Sequence, residues 1–354
     1  MKTTFRIKID PRDPDFVRLR EIARETREGK IVAFPTETVY GIGAPINVPR
    51  LDKILAEIKE RDPDKPFSYH LGDLGMLEVL EISLTPALRF LTQNFWPGPL
   101  TVLVKNHHGE KVGIRYPRHR VTLALINAAG MPFLGTSANL AGNPSAKTAD
   151  EVATQLDGRV DFLIDSGPCE LGQDSTIVDL VEEPPVMLRR GAEADAIAQV
   201  LEKIKSGTYP KKKILIVCTG NSCRSPMAAG WLKNELKKYH LEEKIEVASC
   251  GVGARPGAPA TMEAILVMKN REIDISGHRS QPCTREDVLS SDLILAMGSE
   301  HTVFIQGMIP QAKDRIKLLG IPDPIGMQMA MYEQVIQSIE KKLQGLWDEI
   351  IRGV

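Results

Sequence analysis

The chain has 354 residues, of which 42% are hydrophobic and 26% are charged, and its formal net charge is -1 at pH 7. These values are typical of soluble globular proteins and argue against a disordered or fibrous chain. The near-zero net charge argues against a protein that coats nucleic acid through bulk charge, so any contact with RNA has to be local. The length suits two domains rather than one.

The cysteines and the N-terminal stretch indicate the cellular compartment. Cysteines stand at five scattered positions, Cys169, Cys218, Cys223, Cys250 and Cys283, and this odd number does not resemble the disulfide framework of a secreted protein. The first residues, "MKTTFRIKIDPRDPD", lack the apolar core of a signal peptide. No apolar run approaches the ~18 residues that span a bilayer. We therefore expect a cytoplasmic protein without membrane contact.

In the first half of the chain, short runs rich in β-branched residues alternate with helical patterns. The strand-like runs include "IVAF", "LTVLV", "STIVDL" and "PVMLR", and the helical patterns include "RLDKILAEIKE", "TPALRFLTQNF" and "ADAIAQVLEKI". This alternation predicts an α/β domain. Because many Pro and Gly residues separate the runs, we expect a mixed sheet.

A domain boundary is predicted near residue 205. Residues 204–213, "IKSGTYPKKK", combine Gly, Pro and a Lys run between a helical pattern and a strand-like one. We therefore predict a first domain over residues 1–205, a linker over 206–212 and a second domain over 213–354.

In the predicted second domain, strands and helices alternate regularly. The order is strand "KILIVC", a helix from Ser225, strand "KIEVAS", helix "TMEAILVMKN", strand "DLILAM" and a long helix from about Met329. Such an order implies right-handed crossovers and a doubly wound parallel sheet.

Polar islands lie between the strands of the first domain. They read "FPTETVYGIG", "IKERDPDKPFSYH", "GIRYPRH", "GTSANLAGNPSAKT", "QDSTIVDL" and "LRRGA". Basic side chains stand among their Ser, Thr and Asn residues, at Lys59, Arg61, Lys65, Arg115 and Arg189. If the fold brings these groups together, they form a cleft for a polyphosphate and a small polar molecule. The residues by themselves thus indicate a nucleotide-like anion.

These islands resemble the YrdC-like threonylcarbamoyl-AMP synthase family over about residues 13–200, since "PTETVYGIG", "WPGPLT", "SANLAG" and "STIVDL" follow in the family's order. The resemblance implies a mixed twisted sheet with helices. It also implies condensation of L-threonine, bicarbonate and ATP, with Mg²⁺, to threonylcarbamoyl-AMP for tRNA modification. The implied partners are tRNA-modification proteins, with tRNA itself as a further candidate.

The same resemblance implies two sets of contacts and identifies no metal ligand among the side chains. The implied contacts are, for L-threonine, Thr38, His70, Arg115 and Ser175 and, for ATP, Lys59, Arg61, Lys65, Ser137, Asn139, Ser145 and Arg189. Attack of carboxylated threonine on the α-phosphorus needs positioning and charge neutralisation, which such residues supply. A second interpretation stays open, in which the domain is a catalytically inactive nucleotide- or RNA-binding module.

A cysteine-containing loop, "CTGNSCRS", follows the first strand of the second domain. Cys218 ends that strand, and Arg224 and Ser225 open a helix. The carboxyl end of a parallel strand and the N-terminus of a helix both favour a bound anion, and they also favour a nucleophilic thiolate. Arg224 offers a planar fork to phosphate oxygens. Asp323, in "IPDPIG", would protonate the leaving group before water hydrolyses the phosphocysteine.

The motifs "VCTGNSCRSPMA", "GHRS", "SDLILAM" and "DPIG" resemble the low-molecular-weight protein phosphatase family, from about Lys213 onward. The resemblance implies a nucleophile at Cys218, a phosphate-binding Arg224, a general acid at Asp323, a phosphoprotein substrate and no cofactor. Support of the phosphate loop is assigned to Asn221, Ser222, Cys223 and Ser225. For Asn221 we expect a left-handed backbone conformation. Cys223 is either a disulfide partner of oxidised Cys218 or a packing residue.

The phosphatase substrate stays open between phosphotyrosine and phosphoarginine. Ile325 and Gly326 follow Pro324 where tyrosine-specific members usually carry aromatic residues, and Ser222 resembles the small hydroxyl residue of the arginine phosphatases. The sequence therefore predicts a bifunctional fusion of a synthase and a phosphatase. The alternative is a phosphatase tethered to an inactive YrdC-like domain.

Overall fold

The computed structural model describes residues 3–62 and 65–352. The chain divides into two compact units between Gly207 and Thr208. The predicted linker, residues 206–212, includes this point and the first residue of a strand. That these seven residues act as a linker stays a prediction.

The described residues of the first unit form one mixed sheet of ten strands. These are β1 (Phe5–Lys8), β2 (Val32–Phe34), β3 (Gly41–Pro45), β4 (Ser68–His70), β5 (Leu100–Lys105), β6 (Lys111–Arg115), β7 (Phe133–Ser137), β8 (Phe162–Asp165), β9 (Thr176–Asp179) and β10 (Val186–Arg189). Their order is β1-β8-β2-β3-β7-β4-β6-β5-β9-β10. The sheet contains both parallel pairs, such as β4 with β6, and antiparallel pairs, such as β5 with β6. The predicted mixed sheet is confirmed.

Seven helices accompany this sheet in the described part of the unit. They are α1 (Phe16–Arg27), α2 (Leu51–Lys59), α3 (Met76–Val79), α4 (Pro86–Phe95), α5 (Arg120–Ala129), α6 (Ala149–Leu156) and α7 (Ala194–Lys205). Local signals set their ends. The Thr85 side chain accepts a hydrogen bond from the backbone N–H of Leu88, and Pro86 occupies the first position of α4. The helical patterns predicted at α2, α4 and α7 are confirmed.

Close backbone packing at the centre of the sheet explains strands that carry no β-branched pattern. A Cβ at Gly43 in β3 would lie 2.4 Å from the carbonyl oxygen of Leu134 in β7. Glycine is therefore needed there for two strands to approach, at the expense of β-propensity. This approach places the ends of β3 and β7 beside the cleft described below.

The second unit has a four-stranded parallel sheet in its described residues. Its strands are β11 (Lys212–Cys218), β12 (Ile245–Gly251), β13 (Leu293–Ala296) and β14 (Ile316–Leu318), in the order β12-β11-β13-β14. The helices are α8 (Arg224–Lys238), α9 (Met262–Lys269), α10 (Arg285–Leu289), α11 (Ser299–Met308), α12 (Met329–Gly345) and α13 (Trp347–Ile351), with a 3₁₀ helix at Pro310–Arg315. The predicted parallel sheet is confirmed.

Alternate residues of β11 pack on opposite faces of this sheet. Ile214 and Ile216 belong to one buried cluster, whereas Leu215 and Val217 belong to another. Helices therefore cover both faces, and the strand is apolar throughout because neither face meets water. After β11 the chain forms β12 on one side of that strand, and it later forms β13 on the other side. Such a switch point is where open α/β sheets bind ligands, and Cys218 lies at its carboxyl end.

Candidate active sites

A polar cleft opens on the sheet of the first unit. Its cavity volume is about 180 Å³. Its lining comes from the strands β3, β4, β5, β6, β7, β9 and β10 and from the segments beside them. The lining residues are Thr36, Val39, Tyr40, Gly41, Arg61, Pro66, Phe67, Ser68, His70, Thr101, Arg115, Gly135, Thr136, Ser137, Asp174, Ser175, Ile177 and Arg189. Sequence-distant residues thus meet in one polar cleft.

Arg115 is the buried cation of this cleft, at the end of β6. Its Nη2 donates to Glu37 Oε1 at 2.8 Å and to Thr38 Oγ1 at 2.6 Å. The second carboxylate oxygen of Glu37 accepts from the backbone N–H of Arg118 at 3.0 Å. Within residues 3–62 and 65–352, the buried Nε of Arg115 has no hydrogen-bond partner. An anion in the cleft would satisfy this donor.

His70 lies beside Arg115 because their strands pair in parallel with these two residues in register. Burial, with a smaller contribution from the Arg115 charge, lowers the pKa of His70 to about 3, so the imidazole is neutral. Its Nδ1 is buried and finds no partner in the described part of the chain. A Cβ at Gly135 would lie 3.2 Å from this nitrogen, so glycine keeps the adjacent strand clear of it. The cleft thus offers a second nitrogen to a ligand.

A hydroxyl pair and a second arginine form the neighbouring wall. Ser175 Oγ lies 2.9 Å from Thr101 Oγ1 and accepts from Arg189 Nη2 at 2.9 Å. Arg189 Nε also donates to the carbonyl oxygen of Ser175 at 2.9 Å, and burial lowers the pKa of Arg189. The structure therefore brings Ser175, which was assigned to threonine, into contact with Arg189, which was assigned to ATP.

Lys59 reaches the segment after β7 rather than the open cleft. Its Nζ donates to the carbonyl oxygen of Asn139 at 2.7 Å and to Asn139 Oδ1 at 3.0 Å, and it also donates to the carbonyl oxygen of Ser137. Burial is the main cause that lowers the pKa of Lys59 to about 8, and the Arg61 charge adds to it. All three residues were assigned to ATP. In the structure the three residues hydrogen-bond to one another, and only Ser137 lines the cleft.

The other residues assigned to ATP occupy different places. Arg61 lines the cleft, with its guanidinium 5.1 Å from the centre of the Phe67 ring. Its buried Nε has no hydrogen-bond partner among the described residues. Lys65 is exposed and lies outside the lining. Ser145 lies outside it too, but its hydroxyl donates to Asp174 Oδ1 at 3.0 Å.

Several polar groups of the cleft were not singled out from the sequence. They are the lining residues Thr36, Thr101, Thr136 and Asp174, and Glu37, which pairs with Arg115. All five stand inside motifs quoted in the sequence analysis, and for Glu37 an acidic residue after a buried strand was a further signal. Their meeting at the cleft depends on which strands are neighbours.

The second site is the loop between β11 and α8. Cys218 Sγ lies 2.9 Å from Ser225 Oγ and accepts from the backbone N–H of Asn221 at 3.1 Å. The φ of Asn221 is 52°, in the left-handed region that the sequence analysis expected. Cys218 is buried at the base of the loop. The sulfur thus lies within hydrogen-bond distance of a backbone N–H and a hydroxyl.

Asn221 holds the loop through both ends of its side chain. Its Nδ2 donates to Ser225 Oγ at 2.9 Å and to Ser249 Oγ at 3.0 Å, and its Oδ1 accepts from the backbone N–H of Gln281 at 2.9 Å. His278 Nε2 lies 2.7 Å from the Asn221 carbonyl oxygen. Partners from three different segments therefore fix the strained residue, which compensates for its unfavourable φ. Ser249, His278 and Gln281 were not assigned from the sequence.

Arg224 and Asp323 meet in a cleft of about 490 Å³ beside the loop. Arg224 Nη1 donates to the carbonyl oxygen of Ile321 at 3.1 Å, and Nη2 donates to Thr219 Oγ1 at 3.1 Å and forms an ion pair with Asp323 Oδ2. Asp323 Oδ1 accepts from the backbone N–H of Ile325 at 3.2 Å. The structure thus brings together the predicted phosphate-binding arginine and the predicted acid.

The remaining loop residues face the helices around the site. Cys223 is buried, with its Sγ 3.4 Å from Thr261 Oγ1 and 3.6 Å from the Tyr332 hydroxyl. Burial is the main cause that raises the pKa of Tyr332 to about 12, so this phenol stays protonated. Ser222 is half-buried, with its Oγ 3.7 Å from Cys223 Sγ. Beyond the acid, the side chains of Ile325 and Met327 are exposed, and neither is aromatic.

Three general properties concern metal ions, membrane-spanning helices and disulfides. In the described ranges, no group of three or more His, Cys, Asp or Glu side chains is arranged to hold a metal ion. In the same ranges, no helix has both the length and the apolar character needed to cross a membrane. All five cysteines are unpaired.

Two protein-family models match the chain, one in each unit. The Sua5/YciO/YrdC model, described as "Telomere recombination", matches residues 24–191. The model for "Low molecular weight phosphotyrosine protein phosphatase" matches residues 213–354. A Mycobacterium leprae protein, provisionally assigned as a threonylcarbamoyl-AMP synthase, is 36% identical over 206 residues, covering 54% of this chain and 92% of that protein. "Probable low molecular weight protein-tyrosine-phosphatase EpsP" of Ralstonia solanacearum is 38% identical over 149 residues, covering 40% of this chain and 98% of that protein.

The chain belongs to both families. It is a two-domain fusion of a Sua5/YrdC-like part and a low-molecular-weight phosphatase part, as the sequence predicted. The crystal structure of P. abyssi Sua5 complexed with L-threonine is similar, with a TM-score of 0.54, 26% identity and coverage of 89% of this chain and 99% of that one. The chain spans 52–58% of the first three curated threonylcarbamoyl-AMP synthases that it matches.

Proposed function

We propose that this chain is a bifunctional enzyme, with a threonylcarbamoyl-AMP synthase in its first unit and a cysteine-dependent protein phosphatase in its second. The observation that carries the synthase assignment is a pair of buried nitrogens, Arg115 Nε and His70 Nδ1, which have no partner in the described residues and belong to cleft-lining side chains. A carboxylate together with a hydroxyl, as in L-threonine, matches a cationic donor beside a neutral imidazole. The related P. abyssi protein was crystallised with L-threonine.

The proposed synthase reaction starts from L-threonine and bicarbonate. The amino group of threonine and bicarbonate form a carbamate with loss of water. A carbamate oxygen then attacks the α-phosphorus of ATP, the bond to the β-phosphate oxygen breaks, and pyrophosphate leaves. Arg61 and Arg189 line the cleft and would neutralise the phosphates. Mg²⁺ would enter with ATP, coordinated mainly by phosphate oxygens, as is usual for this ion.

The product would serve tRNA modification, with partner proteins transferring the threonylcarbamoyl group to adenosine in tRNA. A reducing compartment such as the cytoplasm suits the five unpaired cysteines.

For the synthase, we expect the pure full-length chain to release pyrophosphate from ATP only when both L-threonine and bicarbonate are present. The measurement is a coupled pyrophosphate assay with each substrate omitted in turn, followed by mass spectrometry of the adenylate. D-Threonine in place of L-threonine is the control for stereospecific binding. Binding of ATP without any threonine-dependent pyrophosphate would instead favour the inactive nucleotide-binding interpretation.

The phosphatase assignment rests on Cys218 Sγ, which lies at the base of an anion-binding loop within hydrogen-bond distance of Ser225 Oγ and the Asn221 N–H. The thiolate attacks phosphorus, and the ester or phosphoramidate bond breaks as Asp323 delivers a proton to the leaving group. Water, deprotonated by Asp323, then cleaves the phosphocysteine and releases phosphate. Arg224 holds the equatorial oxygens once its ion pair with Asp323 opens.

Ser222 is expected to select between phosphoarginine and phosphotyrosine. Its half-buried hydroxyl would hydrogen-bond a guanidinium, whereas an aliphatic side chain would favour an aromatic ring. We expect Ser222→Ile to shift the ratio of kcat/KM for phosphotyrosine over phosphoarginine peptides at least about tenfold toward phosphotyrosine, the value of one hydrogen bond. Ser222→Thr, which keeps the hydroxyl, is the control. An unchanged ratio in Ser222→Ile would show that Ser222 is not the selector.

A further inference from the structure

A buried histidine lies directly behind the phosphate loop. His301 is the third residue of α11 and is fully buried. Its Nδ1 accepts from the backbone N–H of Gly298 at 2.9 Å, and its Nε2 lies 3.0 Å from Thr219 Oγ1. Thr219 is the residue after Cys218. His301 therefore contacts the loop that holds the proposed nucleophile, although nothing in the sequence singled it out.

The contact with Gly298 fixes the tautomer of His301. A nitrogen that accepts a hydrogen bond from an N–H carries no proton, so the single proton of the neutral imidazole stands on Nε2. Burial is the largest cause that lowers the pKa of His301; the Arg224 charge lowers it further, and the Glu300 and Asp323 charges oppose the shift. The neutral ring therefore donates from Nε2 to the Thr219 hydroxyl oxygen.

Two donors fill the lone pairs of the Thr219 oxygen. The first is His301 Nε2, and the second is Arg224 Nη2 at 3.1 Å. A hydroxyl has two acceptor positions and one proton, so the proton of Thr219 has to point away from both donors. Among the described residues, no acceptor for that proton lies within hydrogen-bond distance. The side chain is exposed and lines the cleft that also contains Arg224 and Asp323.

The geometry points to His301 as a positioning residue that holds the Thr219 side chain so that its hydroxyl donates to the phosphoryl group of the substrate. An oxygen bound by Arg224 Nη2 would lie within reach of Thr219 Oγ1, because the nitrogen and the hydroxyl oxygen are only 3.1 Å apart. This inference rests on the proposed phosphatase function and extends it by one donor and its orienting partner. Without His301, the Thr219 hydroxyl could rotate and donate its hydrogen bond to water instead of the phosphoryl group.

Two substitutions at His301 separate this role from a structural one. The Nε2 of glutamine can occupy the place of the imidazole Nε2, so His301→Gln keeps the donor to Thr219 and loses the acceptor for Gly298. The Oδ1 of asparagine can replace Nδ1, so His301→Asn keeps the Gly298 contact and loses the donor. A histidine that only stabilises the helix start would tolerate asparagine at least as well as glutamine.

We expect kcat/KM for p-nitrophenyl phosphate to fall at least about tenfold in His301→Asn and to stay within about threefold of wild type in His301→Gln, as expected for one oriented donor. Thr219→Val should show the same loss, Thr219→Ser should retain activity, and Thr219→Val combined with His301→Asn should lose no more than either alone. Thermal unfolding of each variant checks the fold. The exposed Thr219 pair keeps the test decisive if a His301 variant does not fold.

Equal losses in the two His301 variants, or additive losses in the double variant, would overturn the inference, as would full activity of Thr219→Val. An inactive wild-type chain would contradict the phosphatase function itself, and this inference with it. An active wild type that is insensitive to these substitutions would contradict only the role of His301 and Thr219.

Discussion

Cys218→Ser is expected to lower the turnover of p-nitrophenyl phosphate at least about 10⁴-fold, a loss in the range measured when an enzyme loses its nucleophile. Serine keeps the size of the side chain and its contacts with Ser225 Oγ and the Asn221 N–H, which lie 2.9 and 3.1 Å from the sulfur. A serine hydroxyl is a far weaker nucleophile than a cysteine sulfur, so the fold is retained and the nucleophile is lost.

The internal control for this prediction is the other activity of the same chain. Because the two units are separately compact, Cys218→Ser should retain the threonine-dependent release of pyrophosphate. Cys169→Ser, in the first unit, is the matched cysteine control and should leave phosphatase turnover unchanged. Residual turnover in Cys218→Ser above about one part in a hundred of wild type would place the nucleophile elsewhere.

Arg115→Gln is expected to raise the KM for L-threonine about 10²–10³-fold in the pyrophosphate assay, which corresponds to loss of one buried, hydrogen-bonded ion pair of about 3–5 kcal/mol. Glutamine cannot give the carboxylate of threonine a charged donor. The same change also leaves Glu37 buried without its cationic partner at 2.8 Å, so some destabilisation is expected as well.

The double variant Arg115→Gln with Glu37→Gln separates the two effects. It removes both charges while keeping side chains that hydrogen-bond, so thermal stability should recover relative to Arg115→Gln. The KM for L-threonine should stay high, because the donor to the carboxylate is still missing. If the double variant recovers wild-type KM, Arg115 acts only by balancing Glu37. Phosphatase turnover, measured in parallel, reports whether the second unit remains intact.

The phosphate loop is the part of the molecule that the sequence predicted most completely. Cys218, Asn221, Arg224 and Ser225 lie within eight consecutive positions, so the strand, the turn and the helix start that hold them are all local structures. The left-handed φ of Asn221 follows from the residue type and the tight turn. Local sequence carries this information because each contact spans only a few residues.

The partners of that loop could not be read from the same eight positions. His301 contacts Thr219 across 82 positions, and Asp323 pairs with Arg224 across 99. The resemblance to the phosphatase family marked Asp323, whereas His301 stands in a helix that contains none of the quoted motifs. Its proximity to the loop depends on the pairing of β11 with β13, which brings the start of α11 beside the end of β11.

The cleft of the first unit depends even more on contacts between sequence-distant residues, which local sequence does not reveal. The resemblance to the synthase family implied an ATP contact for Lys59. The fold brings the end of α2 against the segment after β7, where the ammonium group donates hydrogen bonds to Ser137 and Asn139. Glu37 was overlooked, since an acid that neutralises a buried arginine is recognisable only once that arginine is known to be buried beside it.

The sequence by itself determined the two α/β units, the helical patterns of α2, α4 and α7, the apolar parallel strands and the cysteine loop, because hydrophobic period and turn chemistry act over a few residues. Only the tertiary structure decided that His70 and Arg115 stand in register, and that Thr101 and Ser175 meet at 2.9 Å. These contacts follow from the strand order β4-β6-β5-β9. That order is set by the burial of whole sheet faces between sequence-distant segments, and no local pattern contains it.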